Sequence, residues 1–137
     1  IIRARSAGVV AHSDISIAAL VFRVQEQLFI VQAELAGADK RLSHSDVREL
    51  EESIAQVSTH ISNPHAFVIP GETELAAYFD LARSVTRRTE RVVLRAAQRH
   101  KIGEETSVYL NRLSSLWYVV ARLIAQQGGS QEPNPSY

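Results

Sequence analysis

The 137 residues carry a formal net charge of zero, 45% apolar content and no cysteine. A chain of this length is expected to form one domain with a real core, and its neutral balance excludes a molecule tuned as a whole for nucleic acid or anionic membranes. Without thiols there is no disulfide framework, thiolate metal site or cysteine nucleophile, and the composition fits a reducing, cytoplasmic setting.

No apolar run approaches the ~20 residues of a membrane span. No charged-then-apolar leader opens the sequence, so the expectation is a soluble, unsecreted protein. The chain begins at Ile1 and holds no Met, which suggests a portion of a longer product.

Taken in order, Ser13 to about Leu35 reads as a first helix, with Ser13 as N-cap and Asp14 in the first turn. Its apolar positions are Ile15, Ala18, Ala19, Phe22, Leu28, Phe29 and Leu35, and Gly37 is a natural stop. Ser43, with Asp46 three residues on, opens a second helix carrying Val47, Leu50, Ile54, Val57 and Ile61, ended by Asn63-Pro64.

Phe67-Val68-Ile69 should be short and extended before the Pro70-Gly71 turn. Thr73 then caps a long helix to about His100, with Tyr78, Ala82, Val85, Thr89, Val92 and Ala96 as its apolar stripe. Gly103 interrupts the chain. The last helix runs from about Glu105 to Gln127 with Leu113, Leu116, Trp117, Val120, Leu123 and Ile124 inward. No segment alternates like a strand. The fold class is an all-α, up-and-down bundle with four visible helices, occupying residues 1–127, and the Gly- and Pro-containing tail 128–137 reads as disordered.

Arg83, Arg87 and Arg91 recur at i, i+4, i+8, with Arg88 and Glu90 beside them. By wheel geometry they share a face roughly opposite the apolar stripe. Left uncovered, that face is simply solvated, as on a helical interaction protein. Covered by another subunit, its guanidinium forks would neutralise phosphates, and Glu90 could hold Mg2+ on a polyphosphate. Phe67 alone reads as an ordinary core aromatic, Asn111 as a polar residue bonded to nearby backbone, and Trp117 and Tyr118 as core and interface. The five histidines show no paired spacing, and no P-loop, GxGxxG or GxSxG motif occurs.

Three segments together carry a resemblance. Phe67-Val68-Ile69-Pro70-Gly71, the run Leu81 to Arg91, and Tyr109-Leu110-Asn111-Arg112-Leu113-Ser114 resemble the ATP:cob(I)alamin adenosyltransferase family of the trimeric, helical-bundle type. Gln25 to Phe29 and Ala33-Glu34-Leu35 resemble its second helix, so the likeness spans roughly residues 24–124.

The resemblance implies a homotrimer of five-helix bundles with active sites between subunits. ATP, Mg2+ and a cobalamin substrate are implied too, as are a reductase and an adenosylcobalamin-dependent enzyme as partners. It implies that Arg87, Arg88, Thr89, Glu90, Arg91 and Asn111 contact ATP, with Glu90 near the metal. Arg83 would pair with Asp14 across the subunit boundary, and Arg83, Arg87 and Phe67 would be catalytic. Phe67 would be an aromatic wedge beneath the corrin, excluding the lower axial ligand so that four-coordinate Co(II) is more easily reduced.

The sequence also departs from the family pattern. A Thr-Gly-Asp-Asp-Gly type phosphate loop is absent, the stretch from Asp14 to Gln25 is short, Glu72 replaces a Gly, and Ser115 stands where many members carry Asp. A non-catalytic corrinoid- or nucleotide-binding relative is the alternative that these departures leave open.

Overall fold

The structure, a computed structural model, describes residues 15–62, 67–128 and 136. Four helices follow one another: α1 (Ile17–Leu35), α2 (His44–Ser58), α3 (Glu74–Ala96) and α4 (Glu104–Gln127). No strand occurs among the described residues, and no helix is long and apolar enough to cross a membrane. The expected all-α bundle is therefore what forms. Asp14, the Asn63-Pro64 stop and residues 129–135 and 137 lie outside the described residues.

Helix α4 is the central element. Leu110, Leu113, Leu116, Trp117 and every residue from Val119 to Ala125 are buried, so its burial runs nearly all the way round, as for a helix enclosed by others. All six of its expected inward residues are in the core. Helices α2 and α3 both pack against it. Phe79 of α3 meets Trp117 with ring centroids 5.5 Å apart in a tilted arrangement, a geometry favoured by the ring quadrupoles.

The ends of the helices follow from local chemistry. Ser16, not Ser13, caps α1 by accepting the Ala19 N–H. A Gly37 φ of +87° closes α1, with Gly37 and Ala38 donating to the Glu34 and Ala33 carbonyls. Ser43, the expected start of α2, and Asp46 form a reciprocal capping box. Burial pushes the Asp46 carboxyl up, but donors from the Ser43 amide and hydroxyl, the Gln27 amide and Arg23 outweigh it and hold it below the ordinary aspartate value. Helix α2 itself ends at Ser58, and Gln126 of α4 pairs with both the N–H and C=O of Ser62 at 2.9 Å.

The start of α4 has no side chain to cap it, because Gly103 occupies the N-cap. Glu34 of α1 does that work from a distance, accepting the Gly103 N–H at 2.7 Å and the Thr106 hydroxyl. A carboxylate at a helix N-terminus is also favoured by the helix dipole. Gln27 is buried in the same way, accepting the Tyr109 hydroxyl at 2.7 Å. Burial raises the pKa of that phenol, keeping it a neutral donor.

Two expected apolar stripes are corrected. In α1 the inward residues are Val24, Gln27, Val31 and Glu34, whereas Phe22 and Phe29 are exposed. In α3 the buried positions are Ala76, Thr86 and Val93, whereas Tyr78, Val85 and Val92 face outward and Thr89 and Ala96 are only half-buried. α3 also stops at Ala96 rather than near His100. The reason is the same in both helices. Each carries two apolar rows, and the row that meets α4 is the one with small side chains or with polar groups that α4 can satisfy.

Candidate functional site

Helix α3 rises directly out of the Pro70-Gly71 turn. Gly71 has a φ of +89°, a left-handed conformation that a side chain would strain. The Thr73 hydroxyl then accepts the Ala76 N–H and starts the helix. The residues before the turn are irregular rather than strand-like, and Phe67 on them is 78% exposed. Its reading as a core aromatic fails. An apolar ring this open at a tight turn is accessible to an apolar ligand or partner.

Along α3 the arginines separate into two groups. Arg83 is half-buried, its guanidinium carbon 4.7 Å from the centroid of the Tyr118 ring, a cation–π contact between α3 and α4. Arg87, Arg88 and Arg91 are exposed, and among the described residues no ion pair engages them. The expectation of one shared face for Arg83, Arg87 and Arg91 is corrected accordingly. Each four-residue step overshoots a full turn by about 40°, so Arg83 falls at the edge facing α4 while Arg91 has turned to solvent.

Glu90 and Asn111 are brought together. Asn111 Nδ2 of α4 donates to Glu90 Oε1 of α3 at 2.9 Å, so Asn111 bonds a side chain rather than backbone. Ser114 donates to the Asn111 carbonyl at 2.8 Å, tightening that turn. Thr89 donates its hydroxyl to Val85 of its own helix at 3.0 Å. Asp14, the expected partner of Arg83, lies outside the described residues.

Two residues that were not singled out, Arg122 and Asp80, complete the picture. Arg122 of α4, its side chain 2% exposed, donates to both carboxylate oxygens of Asp80 at 3.1 and 3.0 Å. Its guanidinium lies 5.1 Å from the Tyr118 ring centroid, so that ring meets two cations. Asp80 Oδ2 also accepts the Gly71 N–H at 3.1 Å. One signal in the sequence could have found this pair: an arginine inside the apolar run Leu116 to Ala125 must meet an acid or a ring.

The arrangement therefore offers an exposed aromatic on a turn, a row of uncommitted guanidinium groups, and a carboxylate held by an amide. Chemically it can bind a polyanion and present an apolar surface.

A family model described as cobalamin adenosyltransferase matches residues 3–124. The chain is 32% identical over 107 residues to a corrinoid adenosyltransferase of Citrobacter freundii, covering 73% of this chain and 61% of that one. It is 31% identical over 110 residues to the corrinoid adenosyltransferase PduO of Salmonella typhimurium, covering 75% of this chain and 33% of that one. Its fold is similar, with a TM-score of 0.81, to a solved structure of a variant PduO-type ATP:corrinoid adenosyltransferase from Lactobacillus reuteri complexed with cobalamin and ATP. That match is 22% identical and covers 88% of this chain and 70% of the other. The chain thus spans between 33% and 61% of the length of these two curated relatives.

Proposed function

This chain belongs to the cobalamin adenosyltransferase family, and we propose that it transfers the 5′-deoxyadenosyl group of ATP to cob(I)alamin, releasing adenosylcobalamin and inorganic triphosphate. In that reaction the corrinoid substrate supplies the electron pair for the new bond to C5′. The C5′–O bond breaks and its electrons leave with the triphosphate. A protein that hosts this step needs no nucleophile of its own. It needs fixed positive charge where the leaving group develops negative charge.

The observation that carries the reading is the row Arg87, Arg88 and Arg91, exposed on α3 without ion-pair partners among the described residues, next to the Glu90–Asn111 bond. Guanidinium forks suit phosphate oxygens. Asn111 and Thr89 would complete the ATP contacts. Phe67 would lie against the corrin, and Arg83, seated over Tyr118, would pair across a subunit boundary with Asp14.

Mg2+ would travel with ATP. Among the described residues no three acidic or histidine side chains gather to form a cage. Glu90 fits instead as one carboxylate on an ion held mainly by phosphates and water, which is the usual habit of Mg2+. Such an ion would neutralise part of the triphosphate charge.

We also propose that the protein works as a cytoplasmic homotrimer of single helical-bundle domains, residues 1–127, followed by a tail at 128–137. The uncovered apolar rows support this: Phe22 and Phe29 on α1, and Leu75, Tyr78, Leu81, Val85 and Val92 on α3 are all exposed. A fifth helix and neighbouring subunits would cover them, and would close the arginine row away from water. A reductase that delivers cob(I)alamin and an enzyme that uses adenosylcobalamin are the expected partners.

The test is an anaerobic assay with cob(I)alamin and MgATP on protein from the complete reading frame, following the absorbance change as the Co–C bond forms. Wild type should turn over, and Arg87→Ala should lose roughly 10²–10³-fold in kcat, the usual cost of removing one charge-stabilising donor. A wild type that binds corrinoid without turnover would make the protein a binding relative instead. A wild type that neither binds nor reacts would sink the reading.

A further inference from the structure

We propose that Asp80 is a positioning residue for the corrinoid: its carboxylate, oriented by Arg122, tethers the Gly71 amide and so fixes the strap that carries Phe67. This rests on the reading of Phe67 as the corrin-facing residue.

Arg122 sits in the most apolar stretch of the central helix with its side chain 2% exposed. A cation there requires a partner, and Asp80 provides both oxygens to Nη2 at 3.1 and 3.0 Å. The Asp80 side chain is itself only 14% exposed, so this contact leaves it little freedom. A carboxylate kept only to neutralise Arg122 would have no need of the turn. Yet Oδ2 also accepts the Gly71 N–H at 3.1 Å, a bond from the second turn of α3 back to the turn residue two before its N-cap Thr73.

Gly71 is held at a φ of +89°, so the amide is aimed by a conformation that few other residues would adopt. Phe67 precedes it by four residues, so the chain alone keeps the Phe67 Cα within about 14 Å of the Gly71 amide, and the bond to Asp80 fixes where that amide sits on α3. Phe67 has little packing of its own, being 78% exposed. Among the described residues, the hydrogen bond at Gly71 is the side-chain anchor nearest to it along the chain.

The experiment compares two double variants that discharge the buried pair in the same way. Asp80→Asn/Arg122→Met keeps an acceptor for the Gly71 N–H. Asp80→Leu/Arg122→Met removes it. Both perturb Tyr118 and Arg83 alike, so the difference between them isolates the tether. The expected result is a KM for cob(I)alamin about tenfold higher in the second variant than in the first, the effect of losing one hydrogen bond to a positioned group. The KM for MgATP should agree within about twofold between them, and the two should melt within a few degrees of each other. With MgATP bound, the fraction of four-coordinate cob(II)alamin seen by electron paramagnetic resonance should fall in the second variant only.

Equal corrinoid KM values in the two doubles would overturn the proposal. So would failure of either double to fold, since the carboxylate would then serve the fold rather than the strap. A wild type without corrinoid binding would remove the function reading itself, an outcome visible before any variant is made.

Discussion

Helices α2 and α3 pack against the same central helix in opposite ways. α2 has one apolar row, Val47, Leu50, Ile54 and Val57, and buries all of it. α3 buries a thin row of Ala76, Thr86 and Val93 and leaves a larger one, from Leu75 through Tyr78, Leu81 and Val85 to Val92, in the open. One helix has its apolar row covered within the chain, and the other leaves its larger apolar row open. α2 satisfies itself within one chain. α3 bears the arginines and the outward apolar row together, so whatever covers the one must also approach the other.

The largest expected effect tests the self-contained side. Leu50→Ala should cost roughly 2–5 kcal/mol of stability, the range for deleting a buried leucine. Thermal or denaturant unfolding would measure it, and an effect below about 1 kcal/mol would show that α2 is not the packed partner described. On α3 the matching change is Val85→Glu. It should leave the fold of each chain intact but weaken association by tenfold or more, about 1.4 kcal/mol, read as loss of the proposed trimer in sedimentation equilibrium. A wild type that is already monomeric would end the comparison.

A smaller effect sharpens it. Asp46→Asn removes the carboxylate of the α2 capping box and should cost about 1 kcal/mol at pH 7. The Asp46 pKa is lowered in the folded state from its ordinary 3.8. Its contribution is therefore present above that value and is lost as pH falls through the lower, folded value. The gap between variant and wild type should close over that acid range in a pH series of melting curves; a constant gap would assign the loss to something other than charge. The smallest expected stability effect is that of Arg87→Ala, within about 0.5 kcal/mol as for most exposed positions. Its melting temperature should stay put while its activity falls, and a large drop in stability would place Arg87 in the fold rather than in the site.

How much of this was legible in the sequence varies by element. The α2 stripe and the helix start at Ser43 with Asp46 were plain because both rest on contacts three or four residues apart. So was the inward face of α4, where so many positions are apolar that any register buries most of them. In α1 and α3 two apolar rows competed, and local periodicity cannot say which one meets a neighbour. Phe22 and Phe29 look like core residues and lie outside, while Gln27 and Glu34 look like surface residues and lie inside. Their partners, Tyr109 and Gly103 with Thr106, are far away along the chain. At the candidate site, the arginine spacing, Glu90 and Asn111 were legible as residue types in order. Their division into a seated Arg83 and a free outer row was not.

By itself, the sequence determined what short-range forces control: helix starts at Ser43 and Thr73, stops at Gly37 and the Gly71 turn, an all-helical chain, and a family signature in the order of its motifs. Only the tertiary structure decided which faces were buried, which acid met which arginine, and that Asp80 joins the Gly71 turn to the central helix. The physical reason is range. Caps and turns are settled within one turn of backbone, whereas the burial of Glu34 or Arg122 becomes tolerable only when a partner from a distant helix arrives to satisfy it.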